Sequence, residues 1–544
     1  MQLLYTILIM LLVVGGTRLA NQFVPVPLPL IQIAVGALLA LPAFGLHVRL
    51  DPELFLLLFI PPLLFVDGWR MPKGQFWRLR TPILTLAFGL VLFTVLGAGG
   101  FIHLLIPSIP LPVAFALAAV LSPTDAVAVS AIAQGRLPRT LMHVLQGEAL
   151  MNDASGLVTF KFAVAAALTG VFSLGDASFD FLLVALGGLV MGVALSALVG
   201  RVRAWMIGRG WDDPATHVVF MLLLPFAAYV AAEHLGLSGI LSAVAAGMMQ
   251  SRVDLLPRQT ATRLLNHSVW AMLEYAFNGL IFLLLGLQLP DIVRAAVILD
   301  EPTWVSGAVL FGEVLAVFLV LMLLRFFWMY GYWRLSARIR DWRGRPRRFA
   351  GQSHLRLTAV LTLSGVRGAV TLAGVMSLPL LGGDGAAFPQ RDLLIFIAAG
   401  VILLSLLLAS VGLPLLLRGL APDDEEWRER ERRMIWRKTA AAAIRALETQ
   451  TEDRSEDAEA AALGAEVKAN VMAEYRKQLD SSDGGESQAR YRAAHALEQR
   501  LRLQALRAQR LELYRLRREH LIDDDVVRDI LRELDISEAM QQRP

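Results

Sequence analysis

The sequence predicts an all-α polytopic membrane protein with about thirteen transmembrane helices, followed by a helical cytoplasmic tail. The chain has 544 residues, of which 56% are hydrophobic and only 18% are charged, whereas soluble proteins carry about 25% charged residues. Many apolar segments approach the roughly 20 residues needed to cross the hydrocarbon core. After Arg418 the composition becomes abruptly charged. We therefore predict a transmembrane domain over residues 1–420 and a cytoplasmic helical tail over residues 421–544.

The apolar segments define the predicted spans. The third and ninth segments are short, so the number of transmembrane helices would be twelve if one predicted hairpin were wrong. In chain order, the segments are 2–20, 23–42, 53–67, 82–106, 111–133, 147–173, 180–200, 215–234, 237–251, 268–289, 303–330, 356–379 and 392–417.

Positive charge alternates between the loops, as expected for a multi-pass protein of the cell membrane. Arginine and lysine gather in RMPKGQFWRLR, in QGRLPR and in RLSARIRDWRGRPRR, whereas LGDASFD and GGDGAAF are acidic. Because basic loops stay in the cytoplasm, this pattern predicts an outside N-terminus and a cytoplasmic C-terminus. For a bacterial chain, the membrane would be the inner one.

The chain contains no cysteine, which excludes disulfides, thiolate metal sites and cysteine catalysis. No glycine-rich phosphate-binding motif occurs either, so no nucleotide is expected to drive the protein. We predict a protein that is not an enzyme, has no cofactor, contacts membrane lipid and binds no nucleic acid.

The stretch GEALMNDASG, from Gly147 to Gly156, places polar groups inside the sixth apolar segment. A carboxylate at the depth of the bilayer costs at least about 2.5–3.5 kcal/mol, so such residues usually serve a function or form a pair. On a helix, Asn152 falls within about 40° of Glu148, whereas Asp153 lies about 140° away. Glu148 therefore lies on a polar stripe that suits a cation such as Arg367, and Asp153 faces different surroundings.

Two other segments carry motifs that break helices. LSPTDAVAVS in the fifth segment contains Pro123, which removes an amide donor and interrupts the helix. TLSGVRGAVTLAG in the twelfth contains Arg367 between Gly365 and Gly368. Because the two segments are an odd number of spans apart, they run in opposite directions. Discontinuous helices in matching positions predict inverted repeats with a transporter site near the midplane.

Structural interpretations of these residues stay open. Glu148 and Arg367 would form a buried ion pair that only sets helix register, and the Thr124 hydroxyl would bond its own helix. Asp125 would neutralise the amino terminus of a half-helix. Asp153 alone lacks an evident fixed partner, so it is the strongest candidate for a functional carboxylate.

Four motifs together, FIPPLLFVDGW, LSPTDAVAVS, GEALMNDASG and SGVRGAVTLAG, resemble the bacterial sodium/proton exchangers of the monovalent cation:proton antiporter-1 family. The resemblance covers roughly residues 1–420. It implies a sodium/proton antiporter-like fold with two broken, crossed helices. It also implies a transport bundle, a dimerisation domain and a homodimer.

The resemblance also assigns roles to residues. The family's asparagine–aspartate pair corresponds to Asn152 and Asp153, with Asp153 as the shared carrier of cation and proton. Its structural ion pair corresponds to Glu148 and Arg367. Thr124 and Asp125 correspond to the motif of the unwound helix. Asp153 and Thr124 are thus the expected Na⁺ ligands.

Two positions depart from the family's pattern. Ala149 stands where members often carry a serine that binds the cation. Val66 stands where some archaeal members carry a glutamate, and either the neighbouring Asp67 or a water molecule is expected to take its place.

The expected activity is exchange of Na⁺, with Li⁺ or K⁺ as alternatives, for H⁺ by alternating access, in the service of pH and sodium homeostasis. A single effective carboxylate predicts electroneutral exchange. The sequence leaves three other classes to be weighed: an ion channel, an intramembrane aspartyl protease using Asp125 and Asp153, and a sodium-coupled solute symporter. The channel is disfavoured because the sequence shows one site and no repeated filter loops.

Overall fold

A computed structural model of the chain describes residues 2–23, 26–42, 52–169, 174–211, 213–253, 260–296, 303–342, 354–381, 388–418, 425–449, 458–480, 486–519 and 524–541. The predicted domain boundary at residues 420 and 421 lies outside these ranges. So does the part of the arginine-rich loop between 343 and 353.

Helices account for nearly all of the described chain. A π-helical turn, Thr85–Leu90, joins α5 to α6 in one continuous apolar helix. In order, the α-helices are α1 Gln2–Ala20, α2 Leu28–Leu39, α3 Pro52–Arg70, α4 Lys73–Arg78, α5 Arg80–Leu84, α6 Val91–Leu105, α7 Leu111–Val120, α8 Ala126–Ala133, α9 Arg139–Thr169, α10 Leu174–Gly208, α11 Pro214–His234, α12 Gly239–Val253, α13 Thr260–Ala296, α14 Thr303–Trp342, α15 His354–Leu363, α16 Ala369–Met376, α17 Arg391–Leu417, α18 Glu425–Thr449, α19 Ala458–Asp480, α20 Glu486–Arg518 and α21 Asp524–Gln541.

The prediction of an all-helical membrane protein is confirmed. Each predicted apolar segment falls on a helix or on a pair of consecutive short helices. Among the described residues, six helices are long and apolar enough to cross a membrane, and shorter apolar helices accompany them. Helices suit this composition because each backbone amide finds its acceptor within the same segment, away from water.

Two predicted spans are broken where the sequence places their helix-breaking motifs. α7 ends at Val120 and α8 begins at Ala126, with Pro123 in the unwound stretch between them. α15 ends at Leu363 and α16 begins at Ala369, with Gly365 and Gly368 in the second unwound stretch. The two stretches touch, since the amide of Asp125 donates to the carbonyl of Val366 at 2.8 Å.

The helices before the tail pack as two bundles. The flanking bundle comprises α1–α3 and α10–α13, and the crossing bundle comprises α5–α9 and α14–α17 with the two breaks. Glycines permit close backbone approach in the flanking bundle. A Cβ on Gly247 would lie 2.1 Å from the carbonyl oxygen of Phe65, and one on Gly286 would lie 2.1 Å from that of Ile33. Only glycine fits at such positions, which fixes α12 against α3 and α13 against α2.

The chain divides into two compact units, Met1–Asp423 and Asp424–Pro544. In the second unit α18 packs with α19 and α20 packs with α21. Arg510 on α20 forms ion pairs with Asp535 and Glu538 on α21. Most described residues of this unit are exposed and few apolar residues are buried, which is typical of solvated helices.

Candidate functional site: a polar cavity at the helix crossing

Asp125 joins the two broken helices at their amino ends. Its carboxylate accepts hydrogen bonds from the amides of Val127 and Ala128 at 2.9 Å, and from the amide of Ala369. It thereby caps α8 and α16 together. The first amides of a helix lack intrahelical acceptors and carry partial positive charge, so a carboxylate stabilises both helix ends at once.

Two arginines bind the carboxyl ends of the other two half-helices, α7 and α15. Arg367 donates to the carbonyls of Ser122 and Pro123, just beyond α7, at 2.5 and 2.9 Å. Arg325 on α14 donates through Nε to the carbonyl of Leu361 in the last turn of α15, at 3.0 Å. Guanidinium groups suit these positions because helix carboxyl ends present unpaired carbonyls and partial negative charge.

Glu148 pairs with Arg325, which corrects the predicted pair of Glu148 with Arg367. Both carboxylate oxygens of Glu148 accept from the Arg325 guanidinium, and both side chains are almost fully buried. Helical periodicity identified the polar face of Glu148, but it could not choose between two arginines on different helices. Arg367 instead donates hydrogen bonds to the carbonyls that are left without helical partners where α7 ends. Arg325 itself is marked in the sequence as the lone charge within LVLMLLRFFW.

Asn152 and Thr124 meet at the crossing. The Nδ2 group of Asn152 donates to Oγ1 of Thr124 at 3.0 Å, and both residues are buried. Ser155, one turn further along α9, donates to the carbonyl of Ala87 in the π-helical turn at 2.7 Å. Gly156 brings α9 against the α7 break, since a Cβ there would lie 2.8 Å from the ring of Pro123.

Asp153 faces a cavity of about 660 Å³ next to this network. Within the described part of the chain, no hydrogen bond or ion pair holds its carboxylate, although the residue is only 5% exposed. Asp67 and Asp125 line the same cavity and act electrostatically on Asp153. A buried carboxylate beside two others is costly when all are charged, so the cavity favours an added cation or proton.

Asp67 reaches this cavity from α3, whereas its neighbour Val66 packs among apolar residues such as Phe65. One turn further on, Arg70 pairs with Glu274 of α13, and both line the cavity. The pair links α3 to α13 within the flanking bundle. From the crossing, the cavity extends to the basic segment that follows α3.

The structure therefore brings four of the predicted site residues to one cavity: Asp67, Thr124, Asp125 and Asp153. Asn152 lies beside them through its bond to Thr124. Ala149 also lines the cavity and offers only a methyl group there. Glu148 and Arg367 are buried behind the site, where they support it.

A second ion pair lies beyond Asp153, on the side away from the cavity. Lys161 on α9 contacts Glu233 on α11 at 2.6 Å, and its ammonium lies 5.8 Å from the centre of the Tyr229 ring. Glu233 also accepts from the amide of Gly239 at 3.1 Å. The pair therefore links α9 of the crossing bundle to α11 of the flanking bundle.

Replacing Gly368 with alanine is expected to destabilise the crossing. A Cβ at this position would lie 2.0 Å from Oδ2 of Asp125, so Asp125 would lose its place between α8 and α16. Overpacking of this kind costs about 1–3 kcal/mol. We expect a lower melting temperature of the detergent-solubilised protein. Gly100→Ala is the matched control, because no atom lies within 4 Å of the added group. Equal melting temperatures for the two variants would contradict the contact.

Comparison with known proteins agrees with this architecture. The family model described as "Sodium/hydrogen exchanger, transmembrane" matches residues 7–419. The chain is 46% identical over 550 residues to the uncharacterized Na⁺/H⁺ exchanger YjcE of Escherichia coli (strain K12), covering 99% of both chains. It is 42% identical over 531 residues to the sodium, potassium, lithium and rubidium/H⁺ antiporter of Bacillus pumilus, covering 96% of this chain and 76% of that one.

Among solved structures, the sodium proton antiporter MjNhaP1 from Methanocaldococcus jannaschii shares the fold, with a TM-score of 0.57 at 18% identity. The match covers 77% of this chain and 99% of MjNhaP1. The predicted antiporter-like fold is therefore confirmed. Together with the family model, these likenesses show that the chain is a multi-pass membrane protein that belongs to the transmembrane sodium/hydrogen exchanger family.

Proposed function

We propose that this chain exchanges Na⁺, or another small monovalent cation, for H⁺ across the membrane, with Asp153 as the shared binding group. The observation that carries the proposal is a buried carboxylate that has no hydrogen-bond or ion-pair partner among the described residues and faces a polar cavity at the crossing of two broken helices. Transporter sites typically lie where discontinuous helices meet.

The exchange follows from competition for one carboxylate. A proton neutralises Asp153, whereas a cation needs the ionised form, so the two cannot share the group. Either one neutralises the charge of Asp153, and a neutralised carboxylate crosses the apolar interior at far lower cost than a bare one. When neither ion is bound, Asp153 is charged and the site does not change sides. Each cation that crosses is therefore exchanged for a proton, and the ion gradients alone drive the process.

Access from one side at a time is supported by the positions of the cavity and the ion pair. The cavity reaches Arg70 and Pro72, at the start of a basic segment that the charge pattern assigns to the cytoplasm. On the other side of Asp153, the ion pair of Lys161 with Glu233 links the bundles. We therefore assign this conformation as open to the cytoplasm and closed to the outside. The N-terminus would then lie outside and the C-terminus inside.

The charge at the site and the assembly of the protein complete the proposed function. Asn152 stands beside Asp153 where a second carboxylate would add charge, which supports one cation per proton and electroneutral exchange. Residues 1–420 would form the transport domain, and residues 421–544 would form a cytoplasmic tail. Two chains would form a homodimer in a bacterial inner membrane. No cofactor is required, since Na⁺ and H⁺ are the cargo. The expected role is in pH and sodium homeostasis.

Purified full-length protein in proteoliposomes with an imposed pH gradient is expected to move protons when Na⁺, Li⁺ or K⁺ is added. A pH-sensitive dye measures the gradient. Clamping the membrane potential with K⁺ and valinomycin should leave the Na⁺-driven rate unchanged, because electroneutral exchange moves no net charge.

Failure of every cation to dissipate the gradient would refute the exchange proposal. A rate that requires an added organic solute would point instead to a symporter. A rate that changes with membrane potential would retain exchange and reject the one-to-one stoichiometry.

A further inference from the structure

Thr371 has a buried hydroxyl that the described part of the structure leaves without a hydrogen-bond partner. The residue is 1% exposed, yet it lines the cavity that contains Asp153. A polar group that is buried in a membrane without a hydrogen-bond partner is unfavourable. The Thr371 hydroxyl is therefore expected to bind something other than the protein, such as an ion.

The position of Thr371 in its helix explains why the hydroxyl is free. A threonine inside a helix usually bonds the carbonyl four residues earlier. Thr358 and Thr362 on α15 do so at 2.8 Å, with the carbonyls of His354 and Thr358. For Thr371 that carbonyl belongs to Arg367, which lies in the unwound stretch before α16 begins.

Thr371 also lies on the face of α16 that is turned toward the site. Gly374, three residues on, shares its face, and a Cβ there would contact Val120 of α7 and Leu157 of α9. Leu157 is one turn beyond Asp153 on α9. The amino end of α16 is held by Asp125 through the amide of Ala369. The hydroxyl therefore lies in the first turn of a half-helix that Asp125 caps, and it lines the same cavity as Asp153.

A second oxygen nearby is also unsatisfied. Oδ1 of Asn152 is buried and has no hydrogen-bond partner in the described part of the chain, because Asn152 bonds Thr124 through its amide nitrogen. Oxygens that accept no hydrogen bond are the groups that hard cations such as Na⁺ bind. Ala149, which lines the same cavity, supplies no oxygen.

We propose that Oγ1 of Thr371 is a ligand of the transported cation and a determinant of which monovalent cation this chain prefers. The inference rests on the proposed exchange function and adds α16 to the elements that supply ligands. Because α8, α9 and α16 belong to the crossing bundle, the ligands would move together with the ion.

The test compares Thr371→Val, which keeps the shape and removes the hydroxyl, with Thr371→Ser, which keeps the hydroxyl. In proteoliposomes we expect Thr371→Val to raise the apparent KM for Na⁺ about tenfold at an unchanged maximal rate. The ratio of the KM values for Na⁺ and K⁺ should also change, which a purely structural defect would not cause. Thr371→Ser should stay within about twofold of the native protein.

Thr362→Val is the matched control, because its hydroxyl is already bonded within α15 and lines no part of the cavity. It should leave all KM values unchanged. Should Thr371→Val fold poorly, Thr371→Ala removes the same oxygen without the branched side chain. Native cation affinities in a folded variant without the hydroxyl, or equal shifts in Thr362→Val, would overturn the proposal.

A measurement independent of transport separates this inference from the exchange proposal. At a fixed concentration, a bound cation raises the melting temperature of the solubilised protein more when its affinity is higher. If Na⁺ stabilises the native protein more than Thr371→Val, Thr371 contributes to binding even if no exchange is seen. If Na⁺ stabilises both equally while exchange is normal, exchange stands and the role of Thr371 falls.

Discussion

Replacing Asp153 with asparagine is expected to abolish proton movement driven by any monovalent cation. Asp153 lines the cavity and carries no hydrogen bond or ion pair among the described residues, so its carboxylate is free to exchange a cation for a proton. Asparagine is nearly isosteric, but it neither ionises nor accepts a proton in the working pH range. The proteoliposome assay should therefore show only the background leak.

The same variant should remain folded, which separates loss of function from loss of structure. Asparagine removes a buried charge that Asp67 and Asp125 repel, so the melting temperature should equal or exceed that of the native protein. Asp291→Asn provides a matched control, since Asp291 is exposed and, within the described ranges, pairs only with Arg294 on its own helix. Cation-driven proton movement that survives in Asp153→Asn would require another carrier.

Replacing Arg325 with methionine is expected to cause the largest loss of stability. The change leaves Glu148 buried and unpaired and also frees the carbonyl of Leu361. Removing one partner of a buried ion pair costs about 3–5 kcal/mol, because the remaining charge keeps its desolvation penalty. We expect a large fall in melting temperature, or loss of monodisperse protein on size-exclusion chromatography.

A double variant identifies the partner of Glu148. Glu148→Gln combined with Arg325→Met removes the stranded charge and should recover part of the lost stability, although the Leu361 carbonyl stays unpaired. Glu148→Gln combined with Arg367→Met should show no such recovery, since Arg367 bonds the carbonyls of Ser122 and Pro123 instead. If stability is recovered with Arg367→Met and not with Arg325→Met, the partner of Glu148 is Arg367, as the sequence predicts.

The spans and their breaks could be predicted from the sequence because both depend on local chemistry. Apolar length sets where a helix crosses the membrane, and Pro123 or a pair of glycines sets where it unwinds. Asp153 was identifiable for the same reason, since a carboxylate within an apolar run is conspicuous. These inferences needed no knowledge of which helices are neighbours.

The partners could not be predicted, because they depend on which helices meet. The polar face of Glu148 suits either arginine, and only the fold brings Arg325 of α14 within reach. Lys161 likewise finds Glu233 across 72 positions of sequence. Thr371 is harder still, since its hydroxyl stands out only once the start of α16 at Ala369 is known.

The distribution of glycines has a consequence for the tolerance of this chain to mutation. Among the described residues, every glycine that leaves no room for a Cβ makes that close contact within its own bundle. The seam between the bundles is instead made by side chains, including the pair of Lys161 with Glu233. Each bundle is thus stiff, and sliding of one bundle past the other would break none of these close glycine contacts. Substitutions at the crowded glycines should reduce how much protein folds, whereas substitutions along the seam should alter turnover at an unchanged amount of protein.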